Sequence, residues 1–194
     1  MTHAAYPMSW YNEENPLSKG GITMSHLEHK EMGKKNISCK VITVSDTRTE
    51  MTDRSGKKII ALLEENGHTV SSYVIVPDEY GKIKEEIGAG LSSPKVEAIL
   101  INGGTGISPR DTTYEVVHDL LDKRLDGFGE LFRYLSYHEI GSAAMLSRAI
   151  AGVVGKKVIF STPGSTAAVQ LAMEKLILPE LPHLLHELHK HDEK

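Results

Sequence analysis

Apolar residues along this chain fall into two alternating kinds of run. Short, nearly continuous runs rich in Val and Ile read as strands. They cover residues 37–45 (ISCKVITVS), 69–77 (TVSSYVIVP), 96–102 (VEAILIN) and 157–161 (KVIFS). Between them, apolar positions recur at helical spacing. In 53–67 (DRSGKKIIALLEENG), Ile59, Ile60, Leu62 and Leu63 share one face, and Gly67 supplies the stop. Residues 79–91 and 112–125 predict helices by the same spacing. Residues 128–152 predict a helix broken near Gly141, and 165–178 predict another. Pro179 and Pro182 then punctuate a last amphipathic turn or helix.

Strands that alternate with helices imply βαβ units, and hence a parallel sheet covered on both faces. The apolar cores VIV, AILI and VIF fit strands buried on both sides. No internal repeat and no low-complexity segment interrupts the pattern. Residues 1–36 break with it: they are polar, carry Gly20-Gly21 and show no sustained period. They read as a flexible tail, within which Met24 offers an alternative start.

Composition narrows the class. The chain has 194 residues, 40% hydrophobic and 25% charged, enough for one domain with a sizeable core. Lys and Arg total 22 against 26 Asp and Glu, a net charge of −4. No stretch clusters basic residues among aromatics, so nucleic acid is not an expected partner. No apolar run approaches the ~20 residues of a membrane span, and no signal-peptide core opens the chain. Cys39 is the only cysteine, which excludes an internal disulfide and fits a reducing compartment. A cytoplasmic protein is the expectation.

Candidate chemistry gathers where the strands end. In open α/β sheets, ligands sit outside the carboxyl ends of the strands. Here those exits read SDTR (45–48), PDEY (77–80), NGGTGISPRD (102–111) and STPGST (161–166). The third and fourth look like phosphate seats. Glycines let backbone N–H groups approach an anion, and a helix start follows each. Thr105 and Ser165 add hydroxyl donors, and Arg110 could grip a phosphate with two prongs. Steric need alone also explains glycine turns between strand and helix. Neither common nucleotide motif is present: Gly104-Thr-Gly106 lacks the later glycine, and no Gly-Lys-Ser/Thr follows.

The carboxylates carry similar alternatives. Asp111 reads as a helix cap or as a group facing the cleft. Thr112 with Glu115 forms a capping-box pattern, which frees Asp111 for the cleft. Asp78 after Pro77, and Asp46 after Ser45, read as turn formers or as site residues. Carboxylates beside phosphate seats suggest Mg²⁺, which is usually held by one or two carboxylates plus substrate phosphates. His183, His186 and His189 lack a zinc-protease spacing and read as an exposed helix face. Cys39, inside an apolar strand, reads as a small core residue.

The motifs VSDTR (44–48), NGGTGISPRD (102–111), GFGELFRYLS (127–136), LSRAIAG (146–152) and STPGSTAAV (161–169) resemble the molybdenum cofactor biosynthesis protein B family. That family is related to the molybdopterin adenylyltransferases. The resemblance makes 37–194 a molybdopterin-binding domain and implies a three-layer α/β/α sandwich with a mostly parallel sheet. It also implies a homo-oligomer, trimer or hexamer. The implied reaction joins ATP, with Mg²⁺, to the terminal phosphate of molybdopterin and releases pyrophosphate. The implied catalytic aspartates are Asp78 and Asp111, holding Mg²⁺ directly or through water. Gly103, Gly104, Thr105 and Gly106 fall on the pterin-phosphate pocket together with Pro163, Gly164 and Ser165. Ser136, Ser147 and Arg148 are further candidates there. A downstream metal-insertion protein is an implied partner. The alternative reading is a non-catalytic molybdopterin carrier or scaffold of the same pathway.

Overall fold

A computed structural model describes residues 36–191. Apart from Asn36, the tail expected over residues 1–36 lies outside the described residues. In chain order the elements are β1 (Ser38–Val44), α1 (Arg54–Glu65), β2 (Thr69–Val76), α2 (Tyr80–Ser92), β3 (Ala98–Asn102) and α3 (Thr113–Leu120). There follow β4 (Lys123–Arg124), α4 (Asp126–Ile140), a 3₁₀ turn (Gly141–Leu146), β5 (Ile150–Val154) and β6 (Lys157–Thr162). Then come α5 (Thr166–Ala172), a π turn (Met173–Ile177) and α6 (Leu178–His189).

One six-stranded sheet runs in the order β2-β1-β3-β6-β5-β4. The first four strands are parallel; β5 pairs antiparallel with β6, and β4 pairs antiparallel with β5. Side chains alternate across the sheet, as the two-residue strand period requires. Cys39, Val41, Leu100 and Phe160 face one layer, where Ile59, Leu63, Phe132, Met173 and Leu181 pack. Ile42, Val44, Ile99, Ile101 and Ile159 face the other, against Ile83, Ile87, Val116 and Val117. Helices α1, α4, α5 and α6 therefore cover one face and α2 and α3 the other. This is the expected three-layer sandwich with a mostly parallel sheet. Cys39 is a core residue: burial, then the charge of Glu97, pushes its thiol up to about 12.

Three expectations change. The long helix over 128–152 stops at Ile140, where Gly141 takes φ 61, and its last residues form strand β5 instead. Pairing with β6 decides this, through a two-residue hairpin turn in which Gly155 adopts φ 57. The helix over 112–125 ends at Leu120, because Asp122 and Leu125 donate their amides to Val153 and Ala151 on β5. The final prolines do not separate two elements. Pro179 lies in the first turn of α6, Pro182 lies inside it, and the π turn carries the helix on from α5. No helix among the described residues is long and apolar enough to cross a membrane.

Candidate functional site

The exits of β1, β3 and β6 converge around a cavity of about 430 Å³. Ser45, Arg48, Gly103 to Gly106, Asp111 and Pro163-Gly164 are on its wall, together with Ser147. A second cavity, of about 670 Å³, opens beside it over the exits of β1 and β2, lined by Asp46, Pro77, Glu79 and Arg110. Ser45 and Arg48 line both, so the two compartments share a partition.

The glycine loop after β3 is squeezed between its neighbours. Gly103 takes φ 97, and a Cβ there would stand 2.2 Å from the carbonyl oxygen of Val44. Its amide donates to Thr162 of β6 at 3.0 Å. Only glycine tolerates both the positive φ and that approach. Arg148 braces the loop from outside. Its Nε donates to the Thr105 carbonyl at 3.0 Å and its Nη2 to the Gly106 carbonyl, while Nη1 pairs with Glu115. The guanidinium also lies 5.0 Å from the centre of the Tyr114 ring. Arg148 thus holds the glycine loop in shape and spends its donors doing so.

The aspartates occupy three distinct places. Asp111 is on the cavity wall. Its Oδ2 accepts the Ser108 amide at 3.0 Å, and its Oδ1 has no hydrogen-bond partner among the described residues. Asp78 is 7% exposed and sits beneath the loop: a Cβ on Gly104 would come 2.5 Å from its Oδ2. Its Oδ1 accepts both the amide and the hydroxyl of Thr112, each at 3.0 Å. Burial raises the pKa of Asp78, and the charges of Asp111 and Asp46 push the same way, against the Thr112 hydrogen bonds. Asp46 is gripped by Arg110, whose Nε and Nη2 donate to its two oxygens at 2.9 and 2.8 Å. Those bonds, with the Asp78 amide at 3.0 Å, hold Asp46 below the usual carboxylate range.

The capping box expected between Thr112 and Glu115 does not form. Thr112 stands at the N-cap of α3 with φ −119 and ψ −6, outside the extended geometry that aims a cap side chain inward, and makes no cap bond. Its hydroxyl goes to Asp78, and Glu115 is drawn to Arg148. Arg110, expected at a phosphate, has its two-pronged edge occupied by Asp46 and frames the second cavity. Ser165 caps α5, its Oγ accepting the Ala168 amide at 3.2 Å. Ser45 Oγ accepts the amides of Thr47 and Arg48 and so shapes the partition. Ser136 is buried within α4 and is not on the wall of either cavity.

Sequence reading missed a buried polar cluster under the partition. Asp53, fully buried, caps α1 through the Gly56 amide at 3.0 Å. Its Oδ2 accepts Thr43 Oγ1 and the Tyr73 hydroxyl, both at 2.6 Å. Asn102 donates to Thr43 at 2.8 Å and accepts from Ser55 at 2.7 Å. Arg48 closes the cluster, with Nη1 on Ser55 and Asp53 and Nη2 on the Gly164 carbonyl at 2.8 Å. Burial alone would raise the Asp53 pKa; the bonds from Gly56, Thr43, Tyr73 and Ser55 outweigh it and lower the value. An Asp ahead of a helix and an Arg at a strand exit were the available signals. Their partners lie on β1, β2, α1 and the loop after β6.

Similarity to known proteins agrees with this geometry. A family described as a probable molybdopterin binding domain matches residues 40–183, a span that contains every site residue above. Molybdenum cofactor biosynthesis protein B of Bacillus cereus is 56% identical over 168 residues, which are 86% of this chain and 99% of that protein. The chain belongs to the molybdenum cofactor biosynthesis protein B family. A crystal structure of a molybdenum cofactor biosynthesis protein B superposes with a TM-score of 0.79 at 57% identity, covering 81% of this chain and 98% of the other. The tungsten cofactor synthesizing protein MoaB from Pyrococcus furiosus follows at 0.73 and 38% identity, covering 80% of this chain and 98% of that one. The shared three-layer sheet is thus a property of the family.

Proposed function

We propose that this protein adenylylates the terminal phosphate of molybdopterin, with ATP as co-substrate, and releases pyrophosphate. The observation that carries the reading is the pair of adjoining cavities, with Asp111 on the wall of one and Asp78 beneath the same loop. Two phosphate-bearing substrates need two seats that meet. In the reaction, an oxygen of the pterin phosphate attacks the α-phosphorus of ATP. The bond from that phosphorus to the β-phosphate oxygen breaks, and pyrophosphate carries away the electron pair.

The chain supplies position and charge compensation. Gly103 to Gly106 and Pro163-Gly164 bring backbone close to the pterin phosphate, with Thr105 and Ser147 beside them. Ser165 and Arg148 hold the two loops in shape. The donor set fits Mg²⁺. Asp111 keeps Oδ1 without a protein partner, and the ionised form of Asp78 is disfavoured by its surroundings, so a cation would relieve it. No cluster of three or more His, Cys, Asp or Glu stands ready among the described residues. Mg²⁺ usually takes one or two carboxylates and completes its shell with phosphates and water. When bound, Mg²⁺ would neutralise phosphate charge. Asp111 and Asp78 would hold it there and are not nucleophiles.

The test is incubation with molybdopterin, Mg²⁺ and ATP. Adenylylated pterin and pyrophosphate are expected in equal amounts. Molybdopterin binding without either product overturns the catalytic reading in favour of a carrier. One observation favours that second reading: Asp46 occupies the Nε–Nη2 edge of Arg110 and offsets its charge beside the second cavity.

The same reading includes self-association. Helix α4 and the 3₁₀ turn expose Leu131, Tyr134, Tyr137, Ile140, Met145 and Leu146, from 52% to 78% each. Tyr134, Tyr137 and Met145 also line an apolar hollow of about 460 Å³, and Leu146 continues onto the wall of the first cavity. Apolar patches of this kind mark interaction sites. A second copy is the occupant we propose, which would set an interface beside the site. Light scattering should report a trimer or hexamer at micromolar concentration, and Tyr134→Asp should shift it towards monomer. A monomeric wild type sinks this part of the reading.

A further inference from the structure

Three arginines surround the two cavities, and their donors are spent differently. Arg110 gives its Nε–Nη2 edge to Asp46. Arg148 gives Nε and Nη2 to loop carbonyls and Nη1 to Glu115. Arg48 differs from both. It uses Nη1 on Ser55 and Asp53, and one Nη2 hydrogen on Gly164. A guanidinium has five N–H donors. The Nε–H and the second Nη2–H of Arg48 therefore remain without a protein partner among the described residues. Both are donors of the kind that meet phosphate oxygens.

Position agrees with this count. Among the described residues, Arg48 is the only cation on the wall of the glycine-lined cavity, and it also borders the second. Its side chain is 30% exposed, so it is partly desolvated yet open to a ligand. It is also held at both ends. Its backbone amide is fixed to Ser45 Oγ at 3.2 Å, and its head is fixed by the buried Asp53 cluster on one side and by the Gly164 carbonyl on the other. Asp53 in turn is held by groups from β1, β2 and α1. A long side chain ordered before binding loses less entropy on meeting an anion.

We propose that Arg48 is the residue that receives a phosphate group where the two cavities meet, and that Asp53 is the positioning residue that aims it. This rests on the reading that the cavities take phosphorylated substrates, and it assigns the guanidinium role to a residue other than Arg110. Gly164 belongs to the device, because its carbonyl orients the Arg48 head while its loop lines the same cavity.

The probe is inorganic pyrophosphate, titrated calorimetrically into the full chain with and without Mg²⁺. Arg48→Gln should weaken binding by roughly 10- to 100-fold, the scale of a charge-assisted pair of hydrogen bonds. Arg48→Lys should fall between, since it restores the charge without the fork. Asp53→Asn should also weaken binding, and the double variant should bind no worse than Arg48→Gln alone. That non-additivity distinguishes positioning through Arg48 from general loosening, which would add. Circular dichroism at the titration temperature checks that each variant is folded. If the wild type binds and Arg48→Gln binds equally well, or Arg110→Gln loses more, Arg48 is not the receiving residue, and the phosphate reading stands without it. If the wild type binds no pyrophosphate in either condition, the phosphate reading falls and takes this inference with it.

Discussion

Asp111→Asn should lower molybdopterin adenylylation by ~10²-fold or more, about 3 kcal/mol of barrier, with little change in the unfolding midpoint. The substitution removes the charge but keeps an oxygen for the Ser108 amide, the one bond that Asp111 now accepts. Asp111→Ala removes that bond as well. It should match the kinetic loss and add about 1 kcal/mol of destabilisation, the net worth of one hydrogen bond. The fall should appear in kcat more than in KM, because a group that steadies developing phosphate charge acts in the transition state. Full turnover in Asp111→Asn, with a lower midpoint in Asp111→Ala, would leave Asp111 as a turn residue. The glycine loop would then be a binding seat without chemistry.

The largest effect on stability should come from Asp53→Ala, with a loss of about 3–5 kcal/mol, the scale of breaking a buried charged group away from its partners. Three separate losses coincide. Helix α1 loses its cap, worth about 1 kcal/mol. The hydroxyls of Thr43 and Tyr73 lose their acceptor inside the protein. Arg48 loses its counter-charge. At roughly 2–4 °C per kcal/mol, the midpoint should drop by about 10 °C. A drop of only a few degrees would mean that water replaces the carboxylate, and that the cluster is a surface feature.

The same residue predicts a pH dependence. The pKa of Asp53 is lowered in the fold, from an ordinary value of 3.8. Its contribution is therefore complete above the unfolded value and is lost as pH falls through the lower folded value. Urea unfolding of the wild type should weaken across that acid window, and Asp53→Asn should weaken less. Parallel acid limbs in the two proteins would assign the titration to other carboxylates.

The contrast between sequence and structure is clearest at the arginines and at the sheet edge. Strands β1, β3 and β6 were legible because each is buried on both faces, which favours an apolar run, and β2, half-buried at the sheet edge, was legible from its β-branched VIV end. The end of α1 was legible because Gly67, at φ 78, is a local device that works through its own backbone. The glycine loop was legible for the same reason. Strands β4 and β5 were not. One is two exposed residues, Lys123 and Arg124, and the other contains Ala151 and Gly152, which give little apolar signal. Only an available partner edge makes strands of them: β6 for β5, and β5 in turn for β4.

Side-chain partnerships divide along the same line. A capping box can be read within four residues, and at Thr112 it failed because Asp78, thirty-four positions away, offered a buried carboxylate. Arg110 and Asp46 are separated by 64 positions, Arg148 and Gly106 by 42, and Arg48 and Gly164 by 116. Burial pattern, turn chemistry and the strand-exit motifs are local, so the sequence alone determined the layers, the parallel core of the sheet and the loops that line the cavities. Which arginine stands with free donors where the two cavities meet depends on which carboxylates and carbonyls the folded chain brings to it, and only the tertiary structure decided that.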